Sequence, residues 1–153
     1  MATPPDAQPT NDDTLTLRVV DSIGAFSADE WSTLAGTSRG DITTSYNPFI
    51  SHAFLSSLED SGCVTAKTGW QPHHLWLETG SGRLIGAAFC YAKAHSQGEY
   101  VFDHGWADAF ERAGGRYYPK LQVAVPFTPA NGPRLLFARE ADARQVRAAL
   151  ANG

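Results

Sequence analysis

Cysteine, methionine and charge are all scarce in this chain: two Cys, one Met and 18% charged residues among 153. Two cysteines, Cys63 and Cys90, do not make a disulfide framework. Neither stands in a Cys-x-x-Cys or Cys/His cluster, so zinc modules and dithiol redox chemistry are excluded. Cys90 lies inside an apolar run and reads as a buried thiol acting as a small hydrophobe. Twelve basic against sixteen acidic residues give a net charge of −4 and leave no broad cationic surface, which argues against DNA as a partner. No apolar run approaches the ~20 residues of a membrane span. The opening MATPPDAQPTNDD has neither the basic start nor the apolar block of a secretion signal. These absences predict a cytoplasmic chain with a disordered tail over 1–13. Phosphate-binding Walker loops, hydrolase elbows, zinc spacings and calcium loops are missing too, so neither a metal nor a covalently bound cofactor is expected.

What is present is apolar and aromatic: 42% hydrophobic residues, with eight Phe, five Tyr and four Trp. That suffices for one core, and residues 14–153 read as a single domain. Leu15, Leu17 and Val19 alternate with polar neighbours, predicting a half-buried strand over 14–20. Ser27 and Glu30 make a capping box, Phe26 can staple onto Trp31, and the helix stops near Gly36. Residues 37–47 are loop-like. Ser51 then caps a second helix with Phe54, Leu55 and Leu58 as its apolar stripe, and Ile50 as a staple for Leu55. A strand over 74–78, a turn at Gly80-Ser-Gly82 and an unbroken apolar strand over 84–92 follow. His73 and His74 face opposite sides of their strand and cannot share a metal; His74 reads as a strand-edge residue beside Trp76.

A third strand is expected at 100–102. Asp103 is the expected N-cap of a helix whose stripe is Trp106, Ala109, Phe110 and Ala113, ended by Gly114-Gly115. A strand over 121–125, joined through that helix, is expected to run parallel to 100–102 and to diverge from it, leaving a slot. A helix over 141–150 closes the order β-α-α-β-β-β-α-β-α. With no strand after it, the chain reads as C-terminally truncated, with Val146 and Leu150 left exposed.

That order resembles the acyl-CoA N-acyltransferase superfamily, the GNAT fold, up to its fourth helix. More narrowly, the chain is similar to a bacterial family of Fem-like peptidoglycan biosynthesis/recognition proteins. The resemblance is carried by Asn47-Pro-Phe49 with Ser51-His-Ala-Phe-Leu-Ser-Ser-Leu-Glu59, by Gly69-Trp-Gln-Pro-His-His74, by the long block Gly105 to Pro129, and by Gly132-Pro-Arg-Leu-Leu136. It covers roughly 15–150 and implies an α+β N-acyltransferase-like mixed sheet with helices on both faces. It also implies transfer of an acyl or aminoacyl group to a small-molecule or peptide amine acceptor, with acyl-CoA as co-substrate. Relatives look longer, which implies a C-terminal half packing on this one.

Such transfer needs a donor for the oxyanion, a base for the amine and a seat for the donor's phosphates. His104 beside Asp103 is the candidate base, with a capping Asp and a solvent-facing His as the plainer reading. Tyr117 and Tyr118 are candidate acid or positioning groups, and Arg116 a candidate anion clamp. Gly105, Arg116 and Lys120 are the candidates for holding the donor; Arg134 and Trp106 are those for the acceptor. In N-acetyltransferases the helix start carries a Gln/Arg-x-x-Gly-x-Gly/Ala loop. Here it reads Phe102-Asp-His-Gly-Trp106, and Asp103 would repel a pyrophosphate. Two functions therefore stand open: an N-acyltransferase, or a non-catalytic half that recognises a peptide or glycopeptide.

Overall fold

The computed structural model describes residues 14–36 and 46–152; the tail 1–13 and positions 37–45 of the predicted loop lie outside them. Its elements are β1 (Leu15–Val20), α1 (Ala28–Ala35), α2 (His52–Asp60), β2 (Trp70–Pro72), β3 (His74–Thr79), β4 (Leu84–Ala88), β5 (Cys90–Lys93), α3 (His104–Arg112), β6 (Lys120–Val123), β7 (Leu136–Phe137) and α4 (Ala143–Asn152). The class is α+β, with helices packed on two antiparallel sheets ordered β1-β3-β4-β7 and β2-β5-β6.

One long hairpin runs through both sheets. Trp70 pairs with Lys93, Pro72 with Tyr91, Leu75 with Ala88 and Leu77 with Gly86, in one register across the break. The His73 N–H donates to the Cys90 carbonyl at 2.9 Å and carries the ladder across that break. Buried residues of this strand point both ways, as a continuous apolar run predicts. Leu84, Ala87, Phe89 and Tyr91 join Trp31, Leu34 and Leu55 of α1 and α2. Ile85, Ala88 and Cys90 join Val146 and Leu150 of α4 on the other face.

Local signals hold the helices where the sequence places them. Ser27 Oγ accepts from the Glu30 N–H and donates to its carboxylate at 2.6 Å. Phe26 meets Trp31 edge-on at 5.0 Å, and Gly36 takes the left-handed conformation that ends α1. Ser51 Oγ accepts from the Phe54 N–H at 3.2 Å, and both Ile50 and Leu55 are buried.

Several expectations are corrected. Residues 100–102 form no strand, and Tyr100, Val101 and Phe102 are exposed. The free edge of β5 is taken by β6, which pairs antiparallel through Cys90–Val123 and Lys93–Lys120 rather than parallel to 100–102. A parallel pair needs a crossover helix, but a helix between two strands does not make them parallel. With no strand beneath it, α3 buries only Ala107, and the expected stripe faces outward: Trp106 is 75% and Phe110 51% exposed. Val146 and Leu150, expected to be exposed, are buried against β3 and β4. Gly86 permits this approach, because a Cβ there would stand 2.7 Å from Val146 Cγ1.

His74 is wholly enclosed rather than at a strand edge. Its Nε2 lies 2.8 Å from Glu59, whose carboxylate also accepts from Ser22 Oγ at 2.9 Å and the Ile23 N–H at 3.0 Å. Its Nδ1 is buried and has no hydrogen-bond partner among the described residues. Burial pushes the Glu59 carboxyl up, but bonds from His74, Ile23 and Ser22 outweigh it and hold the group below its ordinary value.

Candidate functional site

Beyond Lys93 the chain leaves the sheet, turns at Gly98 and reaches α3 at Asp103. Between this irregular segment and the strand β6 with its following loop lies a cleft of about 290 Å³. Its lining includes Trp70, Glu99, Asp103, Gln122, Phe127 and Arg134. The slot expected where parallel strands diverge at residues 102 and 121 does not form, because 100–102 is no strand and β6 pairs with β5; neither Phe102 nor Leu121 lines this cleft. The volume sits at the lower end of small-molecule sites, enough for a short peptide or part of a larger ligand.

Two carboxylates on the lining are each clasped by a lysine. Lys93 is 1% exposed; its ammonium bonds Glu99 and stands 3.6 Å from the Trp70 ring centre. Burial holds this ammonium below its ordinary value even though Glu99 acts to raise it. Asp103 receives three side-chain donors: Tyr117 Oη at 3.0 Å, Tyr118 Oη, and the Lys120 ammonium. Lys120 also donates to Tyr117 Oη at 3.0 Å. Partial burial pushes the Asp103 carboxyl up, but these bonds outweigh it and hold the group well below the carboxylate range. Burial depresses the Lys120 ammonium, and the bond to Asp103 more than restores it.

The loop after β6 is stiffened by Pro126, Pro129 and Pro133. Within it Phe127 adopts a left-handed backbone with φ 56°, a conformation costly for a bulky residue. Its ring lies 5.4 Å from Trp70 on the cleft floor. Arg134 follows. Its guanidinium donates to the Ala130 carbonyl at 2.5 Å and the Gly132 carbonyl at 3.2 Å, over the Phe89 ring.

The predicted site residues divide into two groups. Tyr117, Tyr118 and Lys120 converge on Asp103, and Arg134 lines the cleft. His104, Gly105, Trp106 and Arg116 are exposed and do not line it. His104 stacks on Phe102 at 5.3 Å rather than on Asp103. Asp103 occupies the N-cap position of α3 yet makes no side-chain cap bond, because the tyrosines and Lys120 hold its carboxylate. Trp70, Lys93 and Glu99 were missed by sequence reasoning. A lysine closing an unbroken apolar run was the available signal, since a buried ammonium needs a nearby carboxylate.

Among the described residues no group of three or more His, Cys, Asp or Glu is placed to hold a metal ion, and no helix is long and apolar enough to cross a membrane. A family profile described as FemAB-like, peptidoglycan biosynthesis/recognition, matches residues 22–153. No curated protein and no solved structure gives a significant match.

Proposed function

The chain belongs to the FemAB-like family of peptidoglycan biosynthesis and recognition, and on that premise we propose that its cleft recognises the peptide-like acceptor of an acyl or aminoacyl transfer. The observation that carries this reading is the convergence of Glu99, Asp103, Gln122 and Arg134 over an apolar floor of Trp70 and Phe127. A peptide offers backbone amides, carboxylates and apolar side chains, and the lining has a counterpart for each. Concave sites with a few fixed polar groups on an aromatic base are the usual form of such recognition.

Two roles are open within that function. In the first the chain is itself an N-acyltransferase. A base, the role expected of His104, takes the proton of the acceptor amine, and Tyr117 or Tyr118 positions or protonates the reacting group. In the second the chain recognises the acceptor and does not carry the donor. The geometry at α3 favours the second. Its N-terminus carries the Asp103 carboxylate paired with Lys120 in place of a glycine-rich phosphate loop. Both tyrosine hydroxyls donate to that carboxylate, and Gly105 and Arg116 lie outside the cleft.

Calorimetric titration of the protein with a soluble peptidoglycan stem peptide, and separately with acetyl-CoA, tests the assignment. Recognition predicts saturable binding of the peptide and none of acetyl-CoA. Binding of acetyl-CoA with release of free CoA on adding the peptide would establish the catalytic role instead. Failure of the peptide to bind at millimolar concentration would refute both.

A further inference from the structure

The charges around the cleft do not cancel. Glu99 is neutralised by Lys93, and Asp103 by Lys120 with two tyrosine hydroxyls. Neither carboxylate therefore calls for a cationic ligand. Arg134 is different. Its partners are the carbonyls of Ala130 and Gly132, and among the described residues it pairs with no carboxylate. A guanidinium has five N–H donors, so most of its donors stay open after these two bonds. In a protein of net charge −4, this concave surface carries a positive charge that no carboxylate among the described residues pairs with.

The surroundings hold that charge in place. The carbonyl contacts come from the proline-stiffened loop, and Asn47 Nδ2 donates to the Asn131 carbonyl at 2.7 Å to fasten the loop to the segment before α2. Leaning over Phe89 fixes the plane of the guanidinium. A planar fork held rigidly in a partly enclosed site matches an oxyanion better than a neutral amide.

We propose that Arg134 is the anchor of an oxyanion subsite, and that its ligand is a free carboxylate of the bound peptide. This rests on the acceptor-recognition reading above and specifies which end or side chain of the peptide the cleft reads. Gln122, with an amide on the same lining, is placed to satisfy an adjacent peptide group.

The test compares a peptidoglycan stem peptide bearing a free C-terminal carboxylate with the same peptide as its C-terminal amide, on wild-type protein, Arg134→Gln and Arg134→Lys. Loss of one charge-assisted contact, about 1.5–3 kcal/mol, predicts roughly 10- to 100-fold weaker binding of the amide. In Arg134→Gln the two peptides bind alike, at the level of the amide on wild type; in Arg134→Lys the preference is reduced but kept. Equal affinity of the two peptides for wild type overturns the carboxylate subsite while leaving peptide recognition standing. Binding of neither peptide overturns both. Inorganic phosphate is the competing arm: displacement of the free-acid peptide by phosphate at equal concentration reassigns the subsite to phosphate oxyanions and overturns the carboxylate claim.

Discussion

Single residues in this protein act by where their neighbours place a charge. Asp103 is the clearest case. Its folded-state acidity is enhanced, so its contribution to stability is full above the ordinary carboxylate value of about 3.9 and fades as pH falls below it. Asp103→Asn is expected to lower the melting temperature at pH 7 by roughly 2–4 °C, as loss of about one net hydrogen bond implies. The difference from wild type should shrink as melts are repeated below pH 4; a constant difference down to pH 2 would show that the carboxylate is not held as described. Glu59 is more deeply engaged. Glu59→Ala leaves His74, Ser22 and the Ile23 N–H without their acceptor and should cost about 3 kcal/mol in urea unfolding. Neither role was legible in sequence. Glu59 and His74 are fifteen positions apart, and a buried histidine differs from a surface one only through a partner that folding supplies.

At the scale of elements, caps and staples were legible because they are local. Ser27, Ser51, Gly36 and the Phe26–Trp31 contact are fixed by residues within five positions of each other. The pairing of the strand after α3 was not, because it depends on which sheet edge is free. The apolar triplet at 100–102 had strand composition but no edge to join, and the stripe on α3 had periodicity but no surface to cover. Periodicity states which side chains share a face, and only the fold decides whether that face is inside. The docking of α4 makes a prediction at this scale. Gly86→Val forces a side chain into the space held by Val146 and Leu150. It should destabilise the protein by about 1–3 kcal/mol. Amide exchange in α4 should accelerate more than in α1. Uniform protection in both helices would mean that α4 does not rest on Gly86 as described.

At the scale of the whole molecule, the chain is two apolar cores on opposite faces of a hairpin, with a cleft where that hairpin meets β6 and its proline-rich loop. Both walls of the cleft draw on stretches that sequence reasoning marked, 100–103 and 121–134, though Glu99 was not among them. Its floor comes from Trp70, which was quoted only as part of a family resemblance. The individual cation Arg134 was visible; that it pairs with no carboxylate among the described residues was not, because that is a property of the assembled surface. Family membership points to peptidoglycan chemistry, and its proposed encounter with this chain is at the cleft.

The most direct measurement is nuclear magnetic resonance mapping of a peptidoglycan stem peptide on the isotope-labelled protein. The account predicts concentration-dependent shifts at the Trp70 indole, Gln122, Phe127 and Arg134, with α4 and the β1 edge unmoved. Shifts centred on the exposed face of Trp106 and Phe110, with the cleft silent, would contradict it.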